Sequence, residues 1–157
     1  MNIVCTPDEF DLSAITILKR IPNTVIDNSF FRRIVYSTAD LSLNGIYILM
    51  PLKIAASEQY YNKARLSYGV TENTEIVQKI CSIESTLLEA VKPSPNALPI
   101  PKLREQLLSG NIRIFATGSQ PLTDSHIVLK ISGIWETDAH YGVTFKFLEV
   151  TRQSRST

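Results

Sequence analysis

The sharpest pattern of apolar and polar positions in this chain is "GIYILMPLKI". Ile46, Ile48, Met50, Leu52 and Ile54 alternate onto one side, and Gly45, Tyr47, Leu49, Pro51 and Lys53 onto the other, the period-two signature of a half-buried strand. Pro51 has no N–H to give to a ladder, so that end of the strand is expected at an edge or bulge. Upstream, "FFRRIVYS" from Phe30 is rich in aromatic and β-branched residues and reads as another strand. Downstream, "KARLSYG" sets Ala64, Leu66 and Tyr68 against Lys63, Arg65 and Ser67.

The period then changes. In "ENTEIVQKICSIESTLLEAV", Ile76, Val77, Ile80, Ile83, Leu87, Leu88 and Val91 form one helical stripe, with Glu75 and Lys79 as an i,i+4 pair. The N-terminal "TPDEFDLSAITILKRI" also predicts a helix. Thr6 is placed as N-cap, Pro7 at the first helical position and Glu9 to complete a capping box, with Phe10, Ala14, Ile17, Leu18 and Ile21 at helical spacing and Pro22 as the stop. "KPSPNALPIP" carries Pro93, Pro95, Pro99 and Pro101 and must be extended. A short helix from Lys102 to Leu108 is closed by Gly110. "NIRIFAT" and a final hairpin complete the order.

Three strands, a helix, then further strands ending in a hairpin is the element order of an OB-fold-like, five-stranded Greek-key barrel with flanking helices. On this reading residues 1–157 form a single mainly β domain. Residues 1–28 are an N-terminal helical extension, 92–101 a proline-rich loop and 151–157 a flexible tail. An α+β sheet covered by two helices on one face has the same element order.

Composition narrows the function classes. With 157 residues and a formal net charge of +1, the chain has no global attraction for polyanions, so any such binding needs a local patch. Between residues 29 and 70, Arg32, Arg33, Lys53, Lys63 and Arg65 outnumber Asp40 and Glu58, whereas residues 1–28 are net acidic. Cys5 and Cys81 suggest neither a disulfide framework nor a thiolate metal site. The N-terminus lacks the pattern of a signal peptide and the longest apolar run is broken by Pro51 and Lys53, so a soluble, intracellular protein with no membrane partner is expected.

A family resemblance rests on "GVTFKFLEV", which follows a polar loop and the long strand "HIVLKISGIW". It resembles the closing hairpin of viral and phage single-stranded-DNA-binding proteins of the bacteriophage T7 type, where a glycine-led strand also ends the barrel. The resemblance covers residues 126–150. It implies a non-catalytic protein without a cofactor that coats single-stranded DNA in replication, recombination or repair, in the cytoplasm or nucleus, including those of a virus-infected cell. Replication proteins and a second copy of the chain are the implied partners, and RNA stays open as a ligand. That family ends in an acidic tail that recruits replication partners, whereas the last residues here are "TRQSRST" with Arg152 and Arg155, so recruitment through such a tail is not expected.

Single strands are held by cations along the phosphates and flat side chains under the bases. The outward strand positions supply Tyr47, Lys53, Lys63, Arg65, Arg113, Phe115 and Lys130. Tyr60 and Tyr61 fall in the loop "SEQYYNK", and Tyr141 and Lys146 in and after the last loop. Arg32 and Arg33 must point to opposite faces, one of them outward or paired with a carboxylate. Trp135 shares a strand face with Ile127, Leu129 and Ile131 and reads as core, an assignment that a bulge at Gly133 would reverse. The alternative function is a protein-binding or assembly subunit that uses exposed aromatics and the proline-rich loop.

Signals for catalysis are weak. His126 and His140 have no partner spacing typical of zinc. Asp124, Ser125 and His126 resemble a triad only in letters, because the three roles need convergence in space. The six glycines form neither a phosphate loop nor a dinucleotide fingerprint.

Overall fold

A computed structural model describes residues 5–25, 27–61, 63–115 and 125–151. Among them, β1 (Ile15–Ile17), β2 (Ile21–Pro22), β3 (Phe30–Thr38), β4 (Leu41–Asn44), β5 (Ile46–Met50), β6 (Ile54–Tyr60) and β7 (Lys63–Tyr68) precede α1 (Thr74–Val91). β8 (Leu98–Pro99), α2 (Lys102–Leu108), β9 (Asn111–Phe115), β10 (Ser125–Glu136) and β11 (His140–Thr151) follow.

These strands make one sheet in the order β1-β3-β10-β11-β9-β7-β6, with β2 and β4 beside β3, β5 beside β10 and β8 beside β11. The pairs of β11 with β8 and β9 are parallel, the others antiparallel. The sheet is therefore open and mixed, and the expected closed five-stranded barrel is not formed. An open sheet under helices is the other arrangement that the element order allows, although the helices packed on it are α1 and α2.

Two local causes explain the departure. The first is Pro51. The strand predicted to run to Ile54 stops at Met50, the Leu52 N–H turns back to the Met50 carbonyl at 2.9 Å, and the chain restarts as β6 at Ile54. β5 then joins β10, while β6 forms a hairpin with β7. β10 accommodates this because it is long: Ile127–Ile131 pairs with β5 and Gly133–Glu136 with β3 along the same edge.

The second cause is the N-terminal segment, which is not a helix. Only half of its capping box forms: the Glu9 N–H donates to Thr6 Oγ1 at 3.3 Å, but the Glu9 carboxylate accepts from the Thr6 hydroxyl at 2.8 Å and not from the Thr6 backbone N–H. It caps a single turn. Asp11 then accepts from the Ser13 N–H at 2.9 Å and hydroxyl at 2.7 Å, a local alternative to helical bonding, and a 3-10 turn follows at Leu12–Ala14. β-Branched Ile15 and Ile17 favour extension and pair with Tyr36 and Ile34.

The core lies between the inward sheet face and the helices. Ile46, Ile48, Leu66, Ile112, Ile114, Leu129 and Ile131 are buried there with Ile80, Leu87, Leu103 and Leu107. Burying each such side chain stabilises the fold by about 1.5–3 kcal/mol, against about 0–1 kcal/mol for a surface ion pair such as Lys79–Glu75, so apolar alternation sets the register. α1 follows its predicted stripe. α2 begins without a cap of its own; instead the buried Glu84 of α1 accepts from the Leu103 and Arg104 N–H groups at 3.0 and 2.9 Å. Gly110 ends α2 at φ 78°, a conformation that suits glycine.

The proline-rich segment is anchored. The Leu98 and Ile100 N–H groups donate to the Ala139 and Tyr141 carbonyls at 2.9 and 2.8 Å. Ala97 is buried and Leu98 is 63% exposed, so the backbone and Ala97 hold this strip.

Candidate functional site

Strand register brings the basic residues together on the sheet face turned away from α1 and α2. Directly paired residues point to the same side. Lys130 on β10 lies opposite Tyr47 on β5 and Lys146 on β11. Phe147 and Ile114 are paired partners in the core, so Lys146 and Arg113 one step before them share the outer side. Arg113 faces Arg65 on β7, and Arg65 faces Glu58 on β6. The row Tyr47–Lys130–Lys146–Arg113–Arg65–Glu58 crosses six strands, about 24 Å at normal strand spacing. Lys63, opposite Phe115, adds a cation in the neighbouring row.

Lys146, Arg113, Arg65 and Lys63 are exposed, and Lys130 and Tyr47 are partly buried. The Lys130 ammonium lies 5.5 Å from the Tyr47 ring centroid, within cation–π range. Glu58 is the one carboxylate on this face among the described strand residues. The next row, Leu49–Val128–Leu148, is apolar and Val128 is buried.

A bulge changes the other end of the face. The register of β10 on β11 shifts between Ile131 and Gly133. Ile131 points into the core before it and Ile134 after it, so one extra residue moves Trp135 from the expected inward side to the outward one. It is partly buried, opposite Phe31 on β3 and Gly142 on β11. The Lys102 ammonium is 5.7 Å from its ring centroid. Arg33, opposite Gly133, is exposed on this same side.

Arg32 points the other way. Its Nε lies 3.4 Å from Glu136 Oε2, and Arg20 Nη1 lies 3.6 Å from Oε1 of the same buried carboxylate. Arg20 also stacks 4.3 Å over Phe30.

The chain matches no protein-family model, no curated protein and no solved structure.

Of the residues picked from sequence, Tyr47, Lys63, Arg65, Arg113, Lys130 and Lys146 share this face. Tyr61 occupies the β6–β7 turn, fully exposed at φ 53°. Tyr60 ends β6 rather than lying in a loop, and Phe115 ends β9; their side chains lie outside the described set. Two expectations are corrected. Tyr141 does not swing in a loop: β11 already begins at His140, and Tyr141 is 4% exposed in the core. Lys53 lies in the link between β5 and β6, its N–H bonded to Asn73 Oδ1 at 2.8 Å, and it lines a groove with Asp8, Glu72 and Glu75 away from the row.

Sequence reasoning missed Phe31 and Lys102; it placed one of Arg32 and Arg33 outward or on a carboxylate without saying which, and Arg33 is the outward one while Arg32 meets Glu136. The available signal was Gly133, where a bulge re-aims the tryptophan. Arg152 and Arg155 lie outside the described residues, as do Asp124 and the side chain of His126. No group of three His, Cys, Asp or Glu residues among the described ones is placed to hold a metal ion, and no described helix is long and apolar enough to cross a membrane.

Proposed function

We propose that this chain binds single-stranded nucleic acid, DNA in the first instance, across the outward face of its sheet, and that the role is coating rather than catalysis. One observation carries the reading. Lys130 is paired with Lys146, and Arg65 with Arg113, directly across neighbouring strands. Like charges placed opposite each other oppose sheet formation, and the one carboxylate on the face among the described strand residues, Glu58, does not balance them. A phosphate chain laid across the row does, and Tyr47 and Trp135 beside it offer surfaces for bases.

Titration of a labelled oligo(dT) with the full chain tests this. Affinity should fall with salt at a log slope of about −0.7 per neutralised phosphate, hence about −3 for four or five contacts. No binding at about 50 mM salt would falsify the reading, and equal affinity for duplex would move it away from single strands.

A second reading, a protein-binding subunit, is favoured by β6, which has a partner on one side only among the described residues, and by the exposed Leu98. A fixed-stoichiometry oligomer that forms without nucleic acid and ignores the charged row would support it.

A further inference from the structure

We infer that the hollow between Phe31, Trp135 and Lys102 receives one base of the bound strand, unstacked from its neighbours, with the adjoining phosphate at Lys102. The inference rests on the single-strand reading above and adds a specific acceptor to it.

The hollow has a volume of about 620 Å³ and a mostly apolar lining, within the range of about 300–1,000 Å³ usual for small-molecule sites. Asn23, Thr137 and Thr144 give it a polar rim, and no carboxylate lines it among the described residues. Its charge and chemistry therefore suit a flat ring carrying a phosphate. Thr144 and Lys146 stand on the same side of β11, two residues apart, so the hollow opens about 7 Å along the strand from the basic row, close enough for one strand to touch both.

The two rings are held in place by absent side chains. A Cβ at Gly142 would lie 2.8–2.9 Å from the Trp135 indole, and one at Gly133 would lie 2.6 Å from Phe31 Cζ and collide with the Arg32 carbonyl oxygen. Glycine inside a strand weakens it and often marks a bulge or a close approach. Here two glycines and a bulge combine to hold a tryptophan and a phenylalanine outside the core. The inward packing uses neither ring. A base inserted beside the indole gives these features a common purpose.

A titration read simultaneously by oligonucleotide anisotropy and by the fluorescence of the lone tryptophan tests the assignment. Quenching should follow the anisotropy isotherm. Trp135→Ala should weaken binding by about tenfold or more, the size of one lost base stack, with Trp135→Phe retaining most of it. The exposed Lys102→Ala should weaken binding and lower the salt slope by about 0.7, which keeps the test decisive if Trp135→Ala does not fold. Binding seen by anisotropy, with tryptophan emission unchanged and both variants at wild-type affinity, overturns the pocket and leaves the face reading standing. Absence of binding at low salt removes both. Thymidine monophosphate that quenches alone, at the concentrations where the oligonucleotide does, overturns the assignment to a strand in favour of a free-nucleotide site.

Discussion

Trp135 and Gly142 are direct partners across β10 and β11, and the indole fills the space that a side chain at position 142 would need. Gly142→Ala should therefore push the indole off the strand. Strain of this kind costs about 1–3 kcal/mol, and because Trp135 is the only tryptophan, its emission should shift at the same time. Thermal melts and emission spectra check both; an unchanged spectrum with wild-type stability would show that the ring is free to move.

The pairs Lys130–Lys146 and Arg65–Arg113 predict opposite effects on stability and binding. Replacing exposed Arg113 by Gln removes a like-charge pair worth about 0.2–1 kcal/mol, so the fold should be unchanged or stabilised by a few tenths. Oligonucleotide affinity should fall, with the salt slope lowered by about 0.7. Urea titration beside binding measurements separates the two; a clear loss of stability would mean that the arginine has a structural role.

How much of this was legible in the sequence depends on the range of the interaction. α1, α2 and the stop at Gly110 are set within a few residues and were read correctly. So was the outward direction of Lys63, Arg65, Arg113, Lys130 and Lys146, which needs only period two. Strand partnership is non-local, and the barrel expectation failed there: nothing near Ile46 announces that β10 will divide one edge between β5 and β3. At the N-terminus a half-formed capping box met two β-branched residues that gained more by pairing with β3. The position of Trp135 turned on one extra residue at a bulge, and Tyr141 was misplaced because β11 starts earlier than the polar loop suggested.

Glu84 links the two helices, and burial pushes its carboxyl above its ordinary value of 4.5, against the lowering effect of the Arg104 and Leu103 N–H bonds. A raised folded-state value means that the stabilising contribution is complete below about pH 4.5 and is lost as pH rises through the folded value. Glu84→Gln does not titrate. The stability of wild type relative to this variant should thus decline from pH 4 toward 7, measured by chemical denaturation at each pH. A rising difference would show that the N–H bonds outweigh burial. Glu84→Ala, which leaves the start of α2 without its acceptor, should cost about 1–3 kcal/mol, with the larger loss at pH 4 and the smaller at pH 7.

The buried Glu136 predicts an asymmetry between its partners and itself. Its Oε1 has no hydrogen-bond partner, and it is held by Arg20 and Arg32, whose side chains are 56% and 26% exposed. Removing Arg32 leaves a buried charge with one distant partner, a change that costs about 3–5 kcal/mol when a buried pair is broken outright, and about half of that with Arg20 retained. Removing the carboxylate instead frees two arginines that already reach water, so Glu136→Leu should cost much less and can be neutral. The difference reaches the ligand face, because Glu136 pairs with Phe30 and the adjacent Trp135 with Phe31. Arg32→Ala should therefore both lower the melting temperature and loosen the tryptophan environment, whereas Glu136→Leu should preserve the emission spectrum. Equal destabilisation by the two variants would mean that the pair acts through packing rather than charge.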